Sequence, residues 1–173
     1  AGQINLNEAN AVTLASVSTA NGSITITTGG TTVIGSVSSA TDADANDISI
    51  TAASGDIVVG TVNAGTTAGD VTLTATAGAI LDDANDGATD ISGDVVTLSA
   101  ATGIGASAGA GSLDTAANSI TAAVTGAGQI NLNEANAVTL ASVSTANGSI
   151  TITTGGTTVI GSVSSAKIGR AHV

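Results

Sequence analysis

The feature that most constrains this chain is a cycle of short aliphatic segments that returns every roughly twenty to twenty-five residues. Segments with aliphatic side chains at i and i+2 begin at Ile4, Ile24, Ile48, Val71, Val96, Ile120, Ile130 and Ile150. Their second members are Leu6, Ile26, Ile50, Leu73, Leu98, Ala122, Leu132 and Ile152. Apolar–polar alternation in Ile, Val and Thr is the pattern of a strand buried on one face. A second aliphatic segment follows eight or nine residues after most of them: Val12–Leu14, Val33-Ile34, Ile57–Val59, Ile80-Leu81, Ile104, Val138–Leu140 and Val159-Ile160. A third appears in several units at Val17, Val37, Val62, Val143 and Val163. Gly, Asn, Asp and Ser separate the segments, where turns need permissive or self-bonding residues. About three short strands in so short a cycle predict one coil of a parallel β-helix, an all-β solenoid with coils stacked at ~4.8 Å.

Composition agrees with a narrow repeated interior. Of 173 residues none is Phe, Trp, Tyr, Met, Cys or Pro, while 23 are Gly and 42% are hydrophobic. An ordinary core of this size relies on aromatic rings for buried area. The aliphatic content is also too high for a disordered acidic tail. A string of Ig-like sandwiches is the rival architecture. Its core would lack every aromatic, and the cycle is too short for it.

Charge excludes several partners. Thirteen acidic side chains against two basic ones give a net charge of −11. That leaves no basic footprint for nucleic acid or an anionic membrane surface. No apolar run approaches the ~18 residues that cross a bilayer, so no membrane insertion of this segment is expected. Without Cys there is no disulfide framework, thiolate catalysis or Cys-based zinc site, which suits a chain exported unfolded. No signal peptide opens the sequence, which starts at Ala1 rather than Met. Lys167 to Val173 hold both basic residues and the lone His172. KIGRAHV reads back as AAG ATC GGA AGA GCA CAC GTC, which from its second base resembles a short-read sequencing adapter; the alternative is a genuine basic terminus. Residues 1–166 are therefore read as one continuous solenoid segment carrying −13, and 167–173 as non-native.

Residues 1–40 recur without change at 127–166, as recent duplication or an assembly error would leave them. Between the copies the pattern falters. Ile120 to Ile130 is only half a coil, and ATGIGASAGAGSLDTAANSI before it is rich in Gly and Ala. A loop-bearing coil or a register shift would each account for it.

Strings such as NGSITITTGGTTVIGSVSSA, GDVTLTATAGAILDD and TGIGASAGAGSLDTAANSITAAVTGAGQINLNEANAVTLASV resemble the shaft repeats of filamentous-haemagglutinin-like bacterial surface adhesins. These are of the two-partner secretion or autotransporter passenger type. The resemblance spans nearly all of residues 1–166, and its most distinctive part is GIG…LDTA…I…INLNEA. It implies a right-handed β-helical filament at the cell surface or secreted outside the cell, with no catalysis. It further implies that the full-length protein meets a ligand on a host or neighbouring cell.

The residue inventory is poor in chemistry. With His172 set aside there is no imidazole base, no thiolate and no cation to hold an anion. Pairs such as Asp82 and Asp83, or Asp42 and Asp44, lack the sugar-stacking aromatics of β-helical glycosidases. No catalytic, cofactor-binding or metal residue is assigned. Calcium is the one cofactor weighed: TDADAND offers Asp42, Asp44 and Asn46, and LDDANDGATD offers Asp82, Asp86 and Gly87. Both depart from a calcium loop: the first has Asp47 where Gly is wanted and Ala53 at the terminal acidic position, and the second has Ala84 at the third position and Gly93 at the terminal one. Acidic turn residues keeping strand edges soluble are the plainer expectation. Outward positions of the first strands read Asn5/Asn7, Thr25/Thr27, Ser49/Thr51, Thr72/Thr74, Thr97/Ser99, Thr121, Asn131/Asn133 and Thr151/Thr153. Stacked, they would form a polar ladder of the kind displayed by ice-binding solenoids, the alternative function.

Overall fold

The computed structural model describes residues 2–106 and 111–166. Every paired strand is parallel, and the strands form one continuous sheet wound into about seven coils. The first coil holds β1 (Ile4–Glu8), β2 (Val12–Leu14) and β3 (Val17–Thr19). The second holds β4 (Ile24–Thr28) and an unbroken β5 (Thr32–Ser39), and the third β6 (Ile48–Ala52) and β7 (Ile57–Asn63). The fourth starts with β8 (Val71–Ala75) and β9 (Ala79–Asp82); β10 (Ile91–Ala100) then crosses into the fifth. There β11 (Gly103–Ile104) is followed by β12 (Leu113–Val124), which crosses into the sixth. β13 (Ile130–Glu134), β14 (Val138–Thr145), β15 (Ile150–Thr154), β16 (Thr158–Ile160) and β17 (Val163–Ser165) complete the winding.

Register stacks inward columns on each of three faces. On the first face Ile4, Ile24, Ile48, Val71, Val96, Ile120, Leu140 and Ile160 lie one over another. On the second the column runs Val12, Thr32, Ile57, Ile80, Ile104, Ile130 and Ile150. On the third it runs Val17, Val37, Val62, Ile91, Thr115 and Glu134. The aliphatics of the inner coils, from Ile24 through Ile120, are fully buried, each removal from water stabilising by about 1.5–3 kcal/mol. Small turns let successive coils close at sheet spacing. A Cβ on Gly78, for example, would overlap the carbonyl oxygen of Gly55 in the coil below.

Two expectations are corrected. Ile130 and Ile150 do not continue the column of Ile120. Ile130 sits on Ile104 of the second face, while Leu140 takes the place above Ile120. The half-coil between Ile120 and Ile130 is thus an ordinary step from first face to second, like that from Val71 to Ile80. The second copy of the duplicated segment enters the helix one strand out of phase with the first. Ala141, an extra residue opposite the junction of Ile120 and Thr121, absorbs the mismatch as a bulge. The inward column asks only for aliphatics at alternate positions, and VTLASV meets that demand as well as INLN. Second, the stretch before Ile120 carries third-face strand from Leu113 onward, and Ile91 is a third-face residue that the sequence pattern passed over. Residues 107–110 of that stretch, and KIGRAHV, lie outside the described residues.

Ile48 has neighbours above and below and is fully buried, whereas Thr25 on the outer face is exposed. Ile48→Asp buries an unpaired charge and should open the central coils. Thr25→Asp should change stability by no more than about 0.5 kcal/mol. Denaturant melts of both variants check this; equal losses would overturn the inward and outward assignment.

Candidate functional site

The TDADAND segment is structural in its connections. Asp42 Oδ2 accepts from the backbone N–H of Thr66 and Thr67 at 3.1 and 2.9 Å, and Oδ1 from Ala68 and Gly69 at 2.8 and 3.0 Å. The Gly69 N–H, helped by those of Ala68 and Thr67 and opposed by desolvation, holds the Asp42 carboxyl below its ordinary value. Gly65, at φ 95°, leaves the space this carboxylate fills. Asp44 is exposed, and Asn46 is turned inward with its amide donating to Thr41 O at 2.7 Å. The three proposed calcium-loop residues therefore go separate ways. Asp42 spends both oxygens stapling one coil to the next.

LDDANDGATD contributes to a different grouping from the one its spacing suggested. Asp82 is joined by Asp90 and by Asp114 of the next coil, and one carboxylate oxygen from each lies within 4.8 Å of the other two. Asp86 and Gly87 stay in the exposed loop above them. Each member is placed by backbone. Asp82 ends β9 at the inward position above Val59. Asp90 immediately precedes Ile91, and its Oδ2 accepts from Asp114 N at 2.8 Å. In return Asp90 N donates to Asp114 O at 2.9 Å. The loop between Asp82 and Asp90 turns back through left-handed Asn85 (φ 52°) and Gly87 (φ 92°), as Asn and Gly permit.

These carboxylates are only 7%, 3% and 4% exposed for Asp82, Asp90 and Asp114. Asp82 Oδ1 accepts from Ala84 N at 2.9 Å and Asp114 Oδ1 from Asn133 Nδ2 at 2.5 Å. The Oδ2 atoms of Asp82 and Asp114 are buried with no hydrogen-bond partner among the described residues. No Lys, Arg or His occurs in residues 2–166, so no described residue supplies a cation to them. Burial, then the neighbouring carboxylates of Asp82, Asp114 and Asp83, push the Asp90 carboxyl up to about 7. Burial also raises Asp114, with Asp82 and Asp86 adding to the shift. Asp90 and Asp114 escaped the sequence reading because they pair only once the coil step is known, and Asp114 lies in the weakly patterned stretch.

The outward ladder is the second candidate surface. Asn5, Thr25, Ser49, Thr72, Thr97 and Thr121 stack in register, as do Asn7, Thr27, Thr51, Thr74, Ser99 and Ala123. Asn131/Asn133 and Thr151/Thr153 belong to strands stacked on the second and third faces and leave this ladder. An open groove lies elsewhere, lined by Ala79, Leu81, Thr102, Gly103 and Gln129 among others, with no titratable side chain in its walls. No protein family, curated protein or solved structure matches the chain.

The acidic cluster predicts a pH dependence. Folding raises the Asp90 carboxyl from 3.8 to about 7, so the folded chain binds the proton more tightly than the unfolded one. Stability is therefore favoured at low pH and falls as pH rises from about 4 through 7, by on the order of a few kcal/mol. Melts in chelator-containing buffer from pH 4 to 8 should show this decline, and Asp90→Asn should flatten it.

Proposed function

We infer that this chain is a non-catalytic structural and display segment of a bacterial surface or secreted adhesin of the filamentous-haemagglutinin-like type. The observation that carries the reading is the uninterrupted parallel winding of about seven coils. At ~4.8 Å per coil it spans about 35 Å of rod. Such a stack extends by adding coils without altering the ones already formed, which suits a spacer. The repeat resemblance supplies the family and the extracellular setting, and the binding of a cell-surface ligand falls to the full-length protein. The inward burial of Asp82, Asp90 and Asp114 supports a non-catalytic role, because a polymeric substrate has no approach to them. No helix in the described residues is long and apolar enough to cross a membrane.

Ice binding is the second reading, favoured by the register that stacks Thr25/Thr27, Ser49/Thr51 and Thr72/Thr74 on one face. Against it, Asn5/Asn7, Ser49, Ser99 and Ala123 break the threonine array, and the ladder leaves those positions without the methyl that Thr presents.

Electron microscopy of the full-length protein should show a thin rod; a compact globular particle would overturn the adhesin-shaft reading. Thermal hysteresis of the purified fragment should not exceed the colligative effect. A measurable excess would replace that reading with ice binding.

A further inference from the structure

We propose that Asp82, Asp90 and Asp114 bind one calcium ion that ties the fourth coil to the fifth. One carboxylate oxygen from each lies within 4.8 Å of the other two, offered from the end of β9, the turn before Ile91 and β12. Carboxylates separated by up to ~4.8 Å can share one ion held at the 2.3–2.6 Å calcium–oxygen distance. The second and independent observation is the pair of orphaned atoms. Among the described residues, Asp82 Oδ2 and Asp114 Oδ2 have no hydrogen-bond partner, on side chains at least nine-tenths buried, an arrangement native proteins rarely leave uncompensated. The other oxygens of Asp82 and Asp114 accept from Ala84 N and Asn133 Nδ2, and Asp90 Oδ2 accepts from Asp114 N, which holds the three carboxylates in place before any ion arrives.

The donor set selects the ion. Three carboxylates with no imidazole or thiolate favour a hard cation over zinc or copper. When all three are ionised, their charge has no Lys, Arg or His in residues 2–166 to balance it. Calcium accepts irregular oxygen cages and fills its remaining positions with water, whereas magnesium demands a near-ideal octahedron. Access is through the exposed loop 83–89, in which Asp83 and Asp86 add negative charge at the entrance. Because the unfolded chain does not bring these three residues together, the ion binds the folded state and stabilises it. This proposal concerns the solenoid itself and stands whether or not the chain serves an adhesin.

Isothermal titration of the metal-depleted protein with calcium chloride at pH 7.5 tests it, alongside thermal melts in calcium and in EDTA. One saturable site per chain and a melting temperature higher in calcium by roughly 5 °C are expected. Asp90→Asn and Asp114→Asn should each weaken binding at least tenfold. Both should melt in EDTA no lower than the parent, since Asn keeps the acceptor and removes a like charge. Asp44→Asn, on the exposed turn, should bind as the parent does. No saturable binding would overturn the proposal. So would equal affinity in the parent and Asp90→Asn, which is the mark of diffuse attraction to an acidic surface. Magnesium binding as tightly as calcium would overturn the choice of ion.

Discussion

The interaction on which everything else depends is the parallel backbone ladder between successive coils. It places residue over residue at a fixed step, so a side chain's surroundings are set by its counterparts one coil above and below. An inward column then favours residues that pack on copies of themselves, and Ile, Val, Leu and Ala do so without aromatic bulk, with Thr32, Thr115 and Glu134 as polar exceptions that are also buried. The same constraint presses turns together, which is why a Cβ at Gly78 would meet the carbonyl of Gly55. Burial is consequently a property of the stack rather than of the residue. Ile34 is fully buried between neighbouring coils, while Ile160, its counterpart in the duplicated segment, is 64% exposed at the end of the described winding.

The duplicated segments show how far identical sequence can diverge in environment. Glu8 is partly exposed, and its carboxylate accepts from the backbone and side-chain N–H groups of Asn10. Glu134 is fully buried. It accepts from Asn136 N as Glu8 does from Asn10, but also from Thr115 Oγ1 at 2.8 Å and from Ala117 N. The local turn is the same in both copies. What differs is the coil against which each is laid, and that is decided by the one-strand change of phase and the bulge at Ala141.

In a chain with no basic residue in its described part, carboxylates are managed by backbone N–H groups. Asp56 accepts from Ala79 N, Asp47 from Asp70 N and Asp70 from Val95 N, each one coil away. The Asp47, Asp70 and Asp94 series continues to Asn118, whose amide donates to Asp94 at 2.8 Å. An amide there relieves the accumulating charge, which together with desolvation already raises Asp70. Asp82 and Asp114 differ in that each keeps a buried oxygen that no N–H among the described residues reaches. Acidic residues at turns are thus more than solubilising decoration. They cross-link coils.

The sequence by itself determined the strands, their inward faces and the solenoid class, because alternation at i and i+2 is a local property that a strand expresses wherever it is placed. Ile24, Ile48 and Val71 were legible as one column for that reason, since each opens a clear segment one coil apart. Tertiary structure alone decided which strands share a face. Ile130 resembles Ile4 in every local respect, yet it stacks on Ile104, because several aliphatic segments satisfy the same column and only the closing of each coil selects among them. The carboxylate cluster lay beyond reach for a related reason. Asp82, Asp90 and Asp114 match no linear motif, and they converge only when the coil step carries Asp114 over Asp90 and the intervening loop folds Asp82 back beside them.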